Sequence, residues 1–121
     1  MLKESIDLHR LGRLDEAERG YRRQLAEQPD DADALHLLGL LRHQRGDAAE
    51  AAELIARARS IAPAQPGIEL SLGTLCFEAG EFDASRAHFE RALEMDPNVG
   101  AAHAGLGQLA GEACALDPDP R

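Results

Sequence analysis

Five histidines, two cysteines and a scatter of serines and paired carboxylates are the side chains of this 121-residue chain whose types could do chemistry. The histidines raise the possibility of a metal first. Zinc ligands must each lie about 2.1 Å from one ion. His36 and His43 share a face of one expected helix but stand seven residues apart, which is about 10.5 Å along the axis. His9 and His43 are 34 residues apart and occupy equal places in neighbouring repeats. With another helix packed between those two helices, their rings would be about 10 Å or more apart. Solvated or surface-lining histidine is the better reading, and no metal site is expected.

Nucleophilic chemistry finds no better footing. Ser5, Ser60, Ser71 and Ser85 lie within regular helical patterning, without the glycine-flanked elbow that exposes a catalytic serine. Cys76 and Cys114 stand 38 residues apart. They match neither a zinc spacing nor a redox pair, and read as small buried residues in a reducing compartment. Asp30 and Asp31 fall in a turn, where a carboxylate caps a helix more readily than it shares a proton. Phosphate loops and dinucleotide fingerprints are absent from the sequence. The expectation is a protein with no catalytic residues, no cofactor and no metal.

Composition narrows the partners. The net charge is −9, and all the basic residues except Lys3 and the five histidines are arginine. An acidic chain repels phosphate, so nucleic acid is not an expected partner. The opening "MLKESIDLHR" carries charge where a signal peptide needs an apolar stretch. No run approaches the roughly 20 apolar residues of a membrane span. A soluble, cytoplasmic protein without a membrane partner is expected.

The elements that must position these side chains emerge when the sequence is compared with itself at an offset of 34. Gly12, Gly46 and Gly80 fall into register, as do Pro29, Pro63 and Pro97. Gly39, Gly73 and Gly107 align, with Ser5 in the same place. Ala17 and Ala51 align with Ser85; Tyr21 and Ile55 align with Phe89. Each unit reads as two helices. In the second unit, Leu35, Leu38 and Leu41 mark one face of the first helix. Gly46 ends that helix at positive φ. Asp47 can cap the next, with Glu50 completing a capping box. Ala51, Leu54, Ile55 and Ala58 then form an apolar stripe, and Pro63 stops the helix. In the third unit Pro66 suits a first helical turn, and Phe82, Ser85, Phe89, Ala92 and Leu93 repeat the stripe. A glycine inside a helix costs about 1 kcal/mol relative to alanine. Its recurrence at 39, 73 and 107 therefore implies a close approach of the paired helix at each place.

This pattern resembles the tetratricopeptide repeat family, through "LLGLLRHQRGDAAEAAELIARARSIAP" and "SLGTLCFEAGEFDASRAHFERALEMDP". The resemblance implies an all-α fold: a right-handed superhelical solenoid of three helix-turn-helix repeats plus a C-terminal capping helix. The repeats span about 1–31, 32–65 and 66–99, the capping helix about 99–116, and a tail 117–121, all in a single domain over 1–116. The first unit departs from the pattern at Glu4, where Leu38, Leu72 and Leu106 stand later. The fourth departs at Cys114, which replaces the turn glycine. More weakly, "DADALHLLGLLRHQRGD" is similar to the repeat arrays that precede the catalytic region of bacterial proteins related to O-linked N-acetylglucosamine transferases. No such region is present in this sequence.

In this family the first helix of each pair lines a concave groove. The resemblance therefore implies a partner-binding surface of Ile6, His9, Arg10, His36, Leu40, His43, Gln44, Leu70, Thr74, Phe77 and Glu78. Phe77 lies off the stripe of Leu72, Leu75 and Ala79. It is either an exposed aromatic anchor or tucked against the next unit. The family's best-known ligands are acidic chaperone C-termini, clamped by groove lysines and asparagines. This chain holds one lysine and one asparagine, Lys3 and Asn98, so an apolar or mixed peptide, or a partner helix, fits better. Two functions follow as expectations. One is a non-enzymatic protein–protein interaction module. The alternative is a detached accessory scaffold of an enzyme system such as a glycosyltransferase-like partner. In the last helix Leu106, Leu109, Ala113 and Leu116 are expected to face inward. That leaves Ala101, Ala104, Gln108, Glu112 and Ala115 outside, as a simple cap or as the contact of a homodimer.

Overall fold

Three glycines set the rhythm of the backbone. Gly12, Gly46 and Gly80 have φ of 82°, 95° and 81°, a left-handed conformation that costs glycine no Cβ collision. Around each, the following residue donates its N–H to the carbonyl five residues back. Arg13 reaches Leu8, Asp47 reaches Arg42 and Glu81 reaches Cys76, at 2.9, 2.9 and 2.8 Å. This closure satisfies carbonyls that a helix end leaves unpaired.

The structure is a computed structural model that describes the backbone of residues 2–116 and the side chains of residues 2–111. The three turns separate α1 (Leu2–Arg10) from α2 (Leu14–Glu27), α3 (Ala32–Gln44) from α4 (Ala48–Ile61), and α5 (Pro66–Glu78) from α6 (Phe82–Met95). A further helix, α7 (Gly100–Leu116), follows. These seven helices are the regular structure of the described residues, which include no strand. The chain forms two compact units, Met1–Pro63 and Ala64–Arg121.

In the first unit the expected stripe is the core. Ala51, Ile55 and Ala58 of α4 are fully buried and Leu54 nearly so, together with Ala17 and Tyr21 of α2 and Ala34, Leu35, Leu38 and Leu41 of α3. Burying a side chain the size of Ile55 stabilises by about 1.5–3 kcal/mol. Gly39 makes room for it, because a Cβ there would stand 2.5 Å from Ile55 Cγ1. α3 begins where Asp31 Oδ1 accepts the Ala34 N–H at 3.1 Å. α4 begins where Asp47 Oδ1 accepts the Glu50 N–H at 3.0 Å. The other half of the expected capping box is replaced. The Asp47 N–H goes to Arg42 O, and the Glu50 carboxylate pairs with Arg22 and Arg42 instead.

The second unit is built around Phe89, which is 4% exposed. A Cβ at Gly73 of α5 or at Gly105 of α7 would come within 2.6 Å of its ring. The ring thus lies between two helices that each omit a side chain for it. Ala92, Ala102 and Leu109 complete this core, and Leu70, Phe77, Phe82, Leu93, Val99 and Leu106 pack against it. Ser85, aligned with two alanines, is buried and donates to Gly73 O at 2.7 Å. The expectation for Gly107 is corrected: a Cβ there meets nothing within 4 Å. No second helix follows α7 among the described residues, so no neighbour closes on Gly107, and Gly105 makes the close contact instead. Leu109 is buried and Leu106 half-buried, as expected of an inward face, while Ala101, Ala104 and Gln108 are exposed. The side chains of Glu112, Ala113, Cys114, Ala115 and Leu116, and the tail, lie outside the described residues.

Candidate functional site

Seven of the eleven candidate partner-binding residues belong to α1 and α3 of the first unit. The two helices touch one another. His9 Nε2 lies 2.8 Å from Gln44 Oε1, and an amide oxygen only accepts, so the ring donates there. His9 Nδ1 lies 3.1 Å from the Tyr21 hydroxyl. The imidazole also meets the Tyr21 ring edge-on at 6.0 Å. The expectation of an intervening helix is therefore corrected. α1 and α3 are direct neighbours, because α2 packs beside them rather than between them. Even so, no group of three His, Cys, Asp or Glu residues among those described is placed to hold a metal.

Ile6, His9, His36, Leu40 and His43 are half-buried, whereas Arg10 and Gln44 are exposed. Half-buried apolar and aromatic-like groups beside exposed polar ones can take an apolar side chain and hydrogen-bond its backbone. Burial pushes the His36 imidazole below its ordinary range, with Asp33 opposing the shift. His36 therefore stands neutral at pH 7, as a hydrogen-bonding group rather than a charge.

The remaining four candidates lie on α5 of the second unit. Thr74 is exposed and its hydroxyl donates to Leu70 O at 3.0 Å. Glu78 is exposed. Leu70 and Phe77 are half-buried against the Phe89 core. Phe77 is not the exposed anchor that was one of its two readings. Its ring tilts against Phe82 at 5.4 Å, held there because Phe82 is the first residue of the helix after the Gly80 turn.

Two clusters escaped the sequence reading. In the first unit, Glu18 accepts from Arg22 at 2.9 Å and from Arg42 at 3.2 Å. Arg42 also pairs with Asp47 at 3.1 Å and Arg45 with Asp15 at 2.7 Å. Burial would raise the Glu18 carboxyl, but bonds and charges from Arg22 and Arg42 outweigh it and hold the group low. In the second unit, Glu69 is fully buried. His88 Nδ1 stands 2.8 Å from one of its oxygens and Arg91 Nε 3.6 Å from the other. The signal for this second cluster was present: Glu69 and His88 stand at the offset of 34 from Leu35 and Leu54. The local signal for the first was only the i, i+4 pair of Glu18 and Arg22; Arg42 and Arg45 lie 24 and 27 residues away.

Two sequence models, both described as tetratricopeptide repeat, match residues 42–109 and 2–66. "Cellulose synthase operon protein C" of Pseudomonas fluorescens (strain SBW25) is 36% identical over 95 residues, covering 69% of this chain and 7% of that protein. The solved structure of a Thermobaculum terrenum O-GlcNAc transferase mutant superposes with a TM-score of 0.85 at 32% identity, over 89% of this chain and 21% of that one. A further structure, "First TPR of Spaghetti (RPAP3) bound to HSP90 peptide SRMEEVD", has a TM-score of 0.86 at 17% identity, over 93% of this chain and 89% of that one. The last supports the fold alone. The chain spans less than a tenth of the curated relative and about a fifth of the transferase.

Proposed function

The chain belongs to the tetratricopeptide repeat family, and from that premise we propose that it is a non-enzymatic protein–protein interaction module. Its first helices hold a peptide or helix of a partner. The observation that carries this reading is the junction of α1 and α3, where His9 and Gln44 meet beside half-buried Ile6, His36, Leu40 and His43. In the second unit, taken by itself, Leu70, Thr74, Phe77 and Glu78 of α5 are proposed as a partner-binding face. The relative bound to an HSP90 peptide supports a peptide ligand in kind. Its acidic sequence does not suit a chain with one lysine. Apolar burial and uncharged hydrogen bonds dominate instead.

A library of displayed peptides tests the proposal. Retained peptides should lose at least tenfold in affinity to Leu40→Arg and to His9→Ala, and change little between low and high salt, because apolar contacts are not screened as surface charges are. Equal affinity for the parent and Leu40→Arg would remove this site from the proposal.

A second reading is favoured by the names of the relatives. Repeats like these occur in a cellulose synthase operon protein and in an O-GlcNAc transferase, so the partner would be a glycosyltransferase-like enzyme. Direct binding of such an enzyme, measured with purified proteins, separates this reading from a general peptide binder. The exposed Ala101 and Ala104 of α7 also support self-association through that helix. Under that reading Ala104→Arg turns a dimer into a folded monomer, and a parent that scatters light as a monomer at high micromolar concentration removes it. The unbridged thiol of Cys76 fits a cytoplasmic setting, and no described helix is long and apolar enough to cross a membrane.

A further inference from the structure

Helix pairs cut from one template can exchange partners during folding, because every first helix resembles every other first helix. We infer that residues 20, 54 and 88, which share one place in the 34-residue register, form with the residues facing them a code that fits each second helix to its own first helix. The three places hold Gly20, Leu54 and His88, and no two are alike.

In the α1–α2 pair the code is steric. A Cβ at Gly20 would stand 1.9 Å from Ser5 Oγ and 3.0 Å from Ser5 Cβ. A helix that brought Leu54 or His88 to this place would collide with α1, so α4 and α6 are excluded from pairing there. In the α3–α4 pair the code is apolar: Leu54 is 7% and Leu35 1% exposed. In the α5–α6 pair it is polar. The Glu69 carboxylate is fully buried, with His88 at 2.8 Å and Arg91 at 3.6 Å. Were α4 to pair with α5, Leu54 would replace His88 and withdraw a hydrogen-bonding partner from the buried Glu69 carboxyl group. Were α6 to pair with α3, His88 would lie against Leu35, with no carboxylate for its ring nitrogen.

Stability alone does not account for the polar pair. A buried hydrogen-bonded pair gains little over apolar residues of similar size, whereas leaving one buried partner unsatisfied is unfavourable. Such a pair discriminates between partners more than it holds the correct ones together, as a single buried polar residue fixes register in coiled helices.

The test copies one code onto another. Glu69→Leu with His88→Leu gives α5–α6 the identity of α3–α4. It is made in the full chain with Ala104→Arg in both variant and control, so that association through α7 plays no part. Refolding from urea is followed by pulsed hydrogen exchange at the α5 and α6 amides, with prolyl isomerase present to remove proline-limited phases. The double variant should be at least as stable as its control, yet its fraction of slowly protected chains should rise several-fold, since mispaired helices must separate before pairing correctly. An unchanged slow fraction overturns the code. So does a double variant less stable than its control, which would make the polar pair a plain stabilising contact.

Discussion

A single absent Cβ decides how closely α5 and α6 approach. At Gly73 it would stand 2.6 Å from the Phe89 ring, whereas at Gly107 it meets nothing. Gly73→Leu should therefore cost several kcal/mol, the overpacking cost of about 1–3 kcal/mol being enlarged by a rigid ring on one side. Gly107→Ala should stabilise by about 0.5–1 kcal/mol through helix propensity. Urea denaturation of the two variants checks the contrast, and equal midpoints would show the two glycines to be equivalent. Gly73 was legible because a large residue recurs sixteen places after each such glycine, Ile55 after Gly39 and Phe89 after Gly73. Gly107 misled because the same register continues into a unit without a described second helix. Glu18 was legible only in its pair with Arg22 four residues on, since Arg42 and Arg45 are distant in sequence, and its stability contribution depends on pH. Glu18 is held low by Arg22 and Arg42 against its burial, and Asp47 is held low by the Glu50 N–H and Arg42. The native state thus binds fewer protons than the unfolded chain. These groups contribute fully above about pH 5, and the contribution is lost as pH falls below about 4 through their depressed values. Glu18→Gln should flatten that acid limb in melting curves taken at stepped pH. A limb of unchanged slope would assign the acid sensitivity elsewhere.

The helices themselves depend on their ends more than on their interiors. Gly46 adopts a φ of 95°, and Gly46→Ala should destabilise by about 1–2 kcal/mol, the left-handed penalty for a residue with a Cβ. Asp47→Ala removes the acceptor of the Glu50 N–H and an ion-pair partner of Arg42, and should cost about 1 kcal/mol. Thermal melts of the two variants check both values; an Asp47→Ala protein that melts with the parent would mean that Glu50 or water replaces the cap. Turn glycines, prolines and the 3.6-residue stripes made every helix legible, because each is a local property of a short stretch. The direct meeting of α1 with α3 was not. It depends on where α2 lies, which a periodicity within one helix does not contain. For the same reason Phe77 could be placed off its stripe from sequence, while the Phe82 ring that covers it could not be foreseen.

At the scale of the molecule, an acidic chain with few aromatic residues holds its helices together with small residues, and keeps half-buried groups on its first helices. The proposed partner-binding role turns on that surface. Nuclear magnetic resonance of the labelled chain, titrated with a peptide retained from the displayed library, tests it most directly. Amide shifts should concentrate at Ile6, His9, His36, Leu40, His43 and Gln44. The exposed Arg23 and Arg57, on second helices, should stay unchanged. Shifts concentrated on α2 and α4, with α1 and α3 silent, would contradict it.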